Sequence, residues 1–93
     1  MPRLSDAEIA EHLAQRPDWS LENNEIVRTF RLANFPAAIA FVTHVAFLAE
    51  AAGHHPDIDI RYNRVRLALT THDAGGLTEK DFALAAAIDE IMG

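Results

Sequence analysis

Residues 50–69 read EAAGHHPDIDIRYNRVRLAL, and the fold turns on this stretch. Ala51 and Ala52 close a long apolar segment, and Gly53 stands where the residue after a helix takes a left-handed conformation. From Asp57 to Tyr62 the chain alternates, with Ile58, Ile60 and Tyr62 on one side and Asp57, Asp59 and Arg61 on the other. Asn63 supplies a turn, and Val65, Leu67, Leu69 and Thr71 repeat the alternation in a partner strand. A helix therefore feeds an antiparallel hairpin. Two adjacent histidines, His54 and His55, occupy the junction, where packing gives no reason for them.

Upstream the same grammar recurs. Ser5 to Glu8 (SDAE) is a capping box, and Leu4 with Ile9 can close a hydrophobic staple around it. Leu13 continues that apolar face, and Pro17 ends the helix after Arg16. Trp19 to Leu21 reads as a short strand, Glu22 to Glu25 as a turn, and Ile26 to Leu32 as a second strand. In the latter, Ile26, Phe30 and Leu32 share a face, with Arg28 between them. Asn34 caps a helix from Phe35 to about Ala52, with Pro36 in its first turn. Ile39, Val42, Val45, Ala46 and Ala49 form one apolar stripe, while Phe41, Phe47 and Leu48 lie off it. A helix apolar on more than one face is covered twice, and the expected covers are the sheet and a second subunit.

Downstream, His72 to Gly76 is a loop. A last helix then starts at Thr78 with a second capping box, TEKD, and a staple from Leu77 to Phe82, and runs to about Met92. Its apolar positions are Phe82, Leu84, Ala85, Ile88 and Ile91. The expected fold is α+β: a four-stranded antiparallel sheet with three helices on one face, in the order α-β-β-α-β-β-α.

The bulk properties narrow the function. Ninety-three residues make one domain, spanning 1–93, with too little chain for two cores. A formal charge of -6 with no basic stripe in the sequence argues against a nucleic acid partner. The lack of cysteine excludes disulfides, thiolate nucleophiles and Cys-ligated zinc. The first residues are polar and helix-like, and His44 and Glu50 interrupt the longest apolar stretch, so the expectation is a cytoplasmic protein without a membrane span.

Chemistry gathers at the histidines. His54, His55 and His72 all fall in loops at the edges of elements, and the two loops can lie at the same end of the sheet. Imidazole exchanges protons near neutrality, so an acid–base pair of histidines predicts a rate limb near pH 6–7. Glu50 is one turn before the double histidine and can orient one imidazole. Asp81 occupies the N3 position of the capping box begun by Thr78, and its carboxylate can also face the pocket that holds His72. A metal site would need His54 and His72 with Glu50 or Asp73, but no HExxH spacing is present. His12 and His44 carry no assigned function, Gly75-Gly76 reads as a turn, and Trp19 reads as core.

In register, the sequence shows Glu50, AAG, His54-His55-Pro56, DIDIR, Tyr62, NRVRLALTT, His72, DAGGLTEK and Asp81. This pattern resembles the signature of the pterin-4a-carbinolamine dehydratase family at every anchor. Trp19, the segment from Phe30 to Phe35, FVTHVAFLAE, YNRV and THDAGGLTEKDFALA extend the likeness over nearly the whole chain. The resemblance implies the same α+β fold and loss of water from 4a-hydroxytetrahydropterin to give quinonoid dihydropterin. That step recycles the cofactor of aromatic amino acid hydroxylases. It implies no metal or organic cofactor.

On the family's pattern, His54 and His72 form the proton-transfer pair, His55 positions the pterin, and Glu50 and Asp81 orient or tune them. Pro56, Thr71, His72 and Asp73 line the pocket. Adjacent His54 and His55 diverge if the backbone is extended, which fits different roles. A homodimer or homotetramer is expected. Two alternatives belong to other classes: a protein-binding module, since some animal relatives act as dimerisation cofactors for a homeodomain transcription factor, and a small metal-binding protein.

Overall fold

The computed structural model describes residues 2–92. Its elements are α1 (Asp6–Gln15), β1 (Ser20–Glu22), β2 (Glu25–Arg31), α2 (Phe35–Ala52), β3 (Asp57–Arg61), β4 (Arg64–Leu69), a 3-10 turn (His72–Ala74) and α3 (Glu79–Ile91). The caps form as the residues dictate. Ser5 accepts from the Glu8 amide while the Glu8 carboxylate accepts from the Ser5 amide at 2.9 Å, and that backbone bond holds the Glu8 pKa below its usual value. Asn34 caps α2, and Gly53 closes it at φ 62°, a conformation that costs a side-chain-bearing residue energy. Between β1 and β2, Asn23 and Asn24 both take positive φ, the chemistry of a tight hairpin turn.

The four strands are antiparallel in the order β1-β2-β4-β3. Two sequential hairpins thus lie side by side, joined through β2 and β4, and α2 carries the chain from one to the other. Ile26 stands opposite Leu69, and Phe30 opposite Val65. These residues and Leu67 are buried in one core with Leu4 and Ile9 of the first capped segment and Phe82, Leu84, Ala85 and Ile88 of α3. The helices occupy one face, so α+β with three helices on a four-stranded sheet holds.

The structure corrects the stripe assigned to α2. Ala38, Phe41, Val45 and Ala49 face the sheet, with Val42 and Leu48 partly buried, whereas Ala46 points outward, Ile39 is 39% exposed and Phe47 is 71% exposed. Both faces of α2 are apolar, so periodicity could not choose between them; the sheet beneath did. By length and composition α2 is apolar enough to cross a bilayer, a test that a core helix also passes, and here one of its faces is buried on the sheet. Tyr62 also departs from expectation. It leaves the strand at φ 53° and is exposed, so β3 ends at Arg61. As the edge strand, β3 is exposed along its whole length, Ile58 and Ile60 included.

One polar hub was not foreseen. Asp89 of α3 accepts from the Trp19 indole at 2.9 Å, from Arg28 at 2.6 Å and from Arg16 at 3.4 Å, tying the end of α1 and the sheet to α3. Trp19 itself is core, as expected, with its ring edge against Phe30. Arg28, on the helix side of β2, also lies over the Phe30 ring at 4.3 Å.

Candidate active site

The C-terminus of α2 aims the first histidine. Gly53 turns the chain so that the His54 amide still donates to the Ala49 carbonyl at 3.1 Å, and the His54 side chain is carried inward, 12% exposed. There Nε2 lies 2.5 Å from Oδ1 of Asp81. His55, one residue on, diverges: its imidazole is two-thirds exposed and meets Oε1 of Glu50 at 2.9 Å. The carboxylate one turn back thus orients His55, not His54. His72 begins the 3-10 turn after β4 and is exposed at the mouth of the same cleft. Its loop is closed by Thr71 and Gly76, whose backbones exchange hydrogen bonds at 3.2 and 3.3 Å.

Asp81 works in both directions. Fully buried, it accepts at Oδ2 from the Thr78 amide at 2.9 Å and from the Thr71 hydroxyl at 2.8 Å, completing the α3 capping box. Its other oxygen is left for His54. The Thr71 and Thr78 hydroxyls also meet at 2.9 Å. A carboxyl group held by Thr71 and Thr78 is fixed in place, and it orients the imidazole that it meets. With Nε2–H donated to Asp81, Nδ1 of His54 is the ring nitrogen left to accept a proton.

The cleft encloses about 380 Å³ and is lined by His54, His55, His72, Thr71 and Asp73, together with Gly53, Asp57, Thr70 and Lys80. Pro56 is half-buried and is not among the lining residues. Lys80, the single lysine of the chain, was missed from sequence although it stands beside Asp81 in TEKD. Thr78, which the sequence marks only as a cap, also supports the pair through its hydroxyl. The metal set of His54, His72 and Glu50 or Asp73 is not assembled: among the described residues no three His, Asp or Glu side chains gather as ligands. A more spacious groove on the open sheet face is lined by four arginines with Thr29, Asp59, Tyr62 and Asn63, and it holds none of the histidines.

His12 and His44 lie elsewhere. His12 stacks on Phe82 at 4.4 Å with Glu79 at 3.1 Å, and His44 is exposed on the outer side of α2.

A helix-backed antiparallel sheet that brings two histidine loops to one end, over a buried aspartate, places the chain among small α+β proteins with an imidazole–carboxylate cleft. It belongs to the pterin 4 alpha carbinolamine dehydratase family, whose model matches residues 2–91. A Chloroflexus aurantiacus protein, provisionally named pterin-4-alpha-carbinolamine dehydratase, is 98% identical over 93 residues, all of both chains. Among solved structures, a transcriptional coactivator/pterin dehydratase from Brucella melitensis superposes with a TM-score of 0.93 at 34% identity, covering 98% of this chain and 99% of that one. A pterin dehydratase-like RuBisCO assembly factor of the alpha-carboxysome gives 0.66 at 25% identity, over 81% and 87%.

Proposed function

We propose that the protein dehydrates 4a-hydroxytetrahydropterin to quinonoid dihydropterin and water by histidine acid–base catalysis, in the cytoplasm, in support of an aromatic amino acid hydroxylase. The observation that carries this reading is the His54–Asp81 pair at 2.5 Å in a cleft shared with His55 and His72. In the reaction the C4a–O bond breaks as the leaving oxygen takes a proton, the N5 proton departs to a base, and a C4a=N5 double bond forms. No covalent intermediate is required, so two proton-transfer groups and a surface to hold a flat bicycle suffice. His54 and His72 transfer the protons, and Asp81 positions His54. His55, held by Glu50, positions the pterin, and Thr71 and Asp73 border it.

The direct test compares the decay of the carbinolamine with and without protein, after the spontaneous rate is subtracted. Protein at micromolar concentration that adds nothing to that rate refutes the proposal. A second measurement separates the neighbouring histidines. His55→Ala should chiefly raise KM, leaving kcat within a few-fold, because it removes a contact made equally in ground and transition states. A large fall in kcat with KM unchanged would move His55 into the proton-transfer pair.

Self-association accompanies this function. The outward stripe of α2, with Phe35, Ile39 and Phe47 exposed, and the uncovered edge of β3 are both surfaces that a second copy can cover. Sedimentation should show a dimer or tetramer, and a 10.3 kDa monomer at micromolar concentration overturns this. The same exposed stripe favours the rival reading, a protein-binding module like the coactivator role in the Brucella protein's name. A dehydratase-inactive protein that still forms a stable complex with a regulatory protein would favour it.

A further inference from the structure

At the opposite end of β4 from the histidine cleft, the open face of the sheet collects cations. Arg31 stands opposite Arg64, and Arg64 opposite Arg61, so three guanidiniums form one row across adjacent strands. In the next row on that face, Arg66 stands between Thr29 and Asp59. Like charges directly opposite one another weaken a sheet, and strands lie only about 5 Å apart. The row is the more unexpected on a chain of net charge -6. Neutralisation is partial: Asp59 meets Arg61 at 3.2 Å and Glu22 meets Arg66 at 3.4 Å, both exposed pairs of small worth. Among the described residues Arg31 and Arg64 have no ion pair. All four arginines, with Tyr62 in its left-handed conformation, line a groove of about 700 Å³.

We propose that this groove binds a compact phosphoanion, a small molecule presenting a di- or triphosphate. Two unneutralised guanidiniums side by side call for two or more negative charges within one short span, and the guanidinium fork matches phosphate oxygens two at a time. A polyphosphate concentrates that charge in one group. Carboxylates on one side of an extended peptide are spaced by roughly 7 Å and would bring their backbone into the groove. The volume suits a small ligand. Asp59 lines the groove and Glu22 borders it at Arg66, while Glu25 and Asp57 stand farther along the same face, so a polyanion long enough to reach them is repelled. Charge complementarity therefore selects a short anion over nucleic acid.

Calorimetric titration of the full chain with inorganic tripolyphosphate tests this, with a hexaglutamate peptide and a 20-nucleotide single strand as comparators. Tripolyphosphate should bind at least tenfold more tightly than either, more weakly as salt rises, and raise the thermal midpoint. The double variant Arg31→Gln with Arg64→Gln should lose at least tenfold in that affinity while dehydration of the pterin stays within twofold. Without anion its midpoint should equal the parent's or exceed it by a few degrees, as repulsion is relieved. Absent binding at millimolar tripolyphosphate, unchanged binding in the variant, or tighter binding of the peptide or oligonucleotide each overturns the proposal. So does a lower midpoint in the variant, which would make the arginines part of the fold.

Discussion

His54→Ala and His72→Ala should each lower kcat by about 10²–10⁴-fold, the range over which a positioned acid or base accelerates proton transfer. His54 is the inner member, 12% exposed and held by Asp81, while His72 lines the same cleft from an exposed loop, so the two are supplied by separate elements. If both serve one concerted elimination, the double variant should lose less than the product of the single losses. Circular dichroism and the thermal midpoint establish that each variant is folded before rates are compared. His72→Ala belongs to a surface turn and should leave the midpoint nearly unchanged. Full turnover in folded His72→Ala would remove it from the mechanism and pass proton transfer to Glu50 or Asp81.

Asp81 should separate stability from catalysis. Asp81→Ala strips the acceptor from the buried Thr78 amide and the Thr71 hydroxyl and leaves His54 unheld. Orphaned buried donors cost about 1–3 kcal/mol each, and the Thr71 hydroxyl still has Thr78 beside it, so a loss of roughly 2–4 kcal/mol is expected. For a domain this small, that lowers the thermal midpoint by roughly 10–20 °C. Asp81→Asn keeps the shape and one oxygen for both donors, and should leave the midpoint within a few degrees. Its amide nitrogen, however, would face Nε2 of His54 and donate to it, forcing the ring proton onto Nδ1. The imidazole would then lack its free acceptor, and kcat should fall by about 10²-fold or more. Rates near the parent's in a folded Asp81→Asn would reduce Asp81 to a helix cap and nothing further.

The anchors of the fold were legible because they are local. Ser5–Glu8, Asn34, Gly53 and Thr78–Asp81 signal helix ends through bonds that span only a few residues, and all of them form. The alternation on either side of Asn63 needs no distant partner to be read as a hairpin. Element order and sheet class follow from those signals alone. Limits were also local: β1 begins at Ser20 rather than Trp19, because Trp19 turns into the core to reach Asp89.

What only the tertiary structure decided is which distant groups meet. The sequence by itself determined that three histidines sit in loops and that Asp81 caps α3; packing decided that Asp81 spends its second oxygen on His54, 27 positions away. It also chose the sheet-facing side of an α2 that is apolar on more than one face, brought Arg28 of β2 and the segment after α1 onto Asp89 of α3, and set Arg31 beside Arg64. Periodicity specifies the face on which a residue lies but not the residue across from it. That depends on strand order and helix docking, which are settled by the burial of the whole core at once.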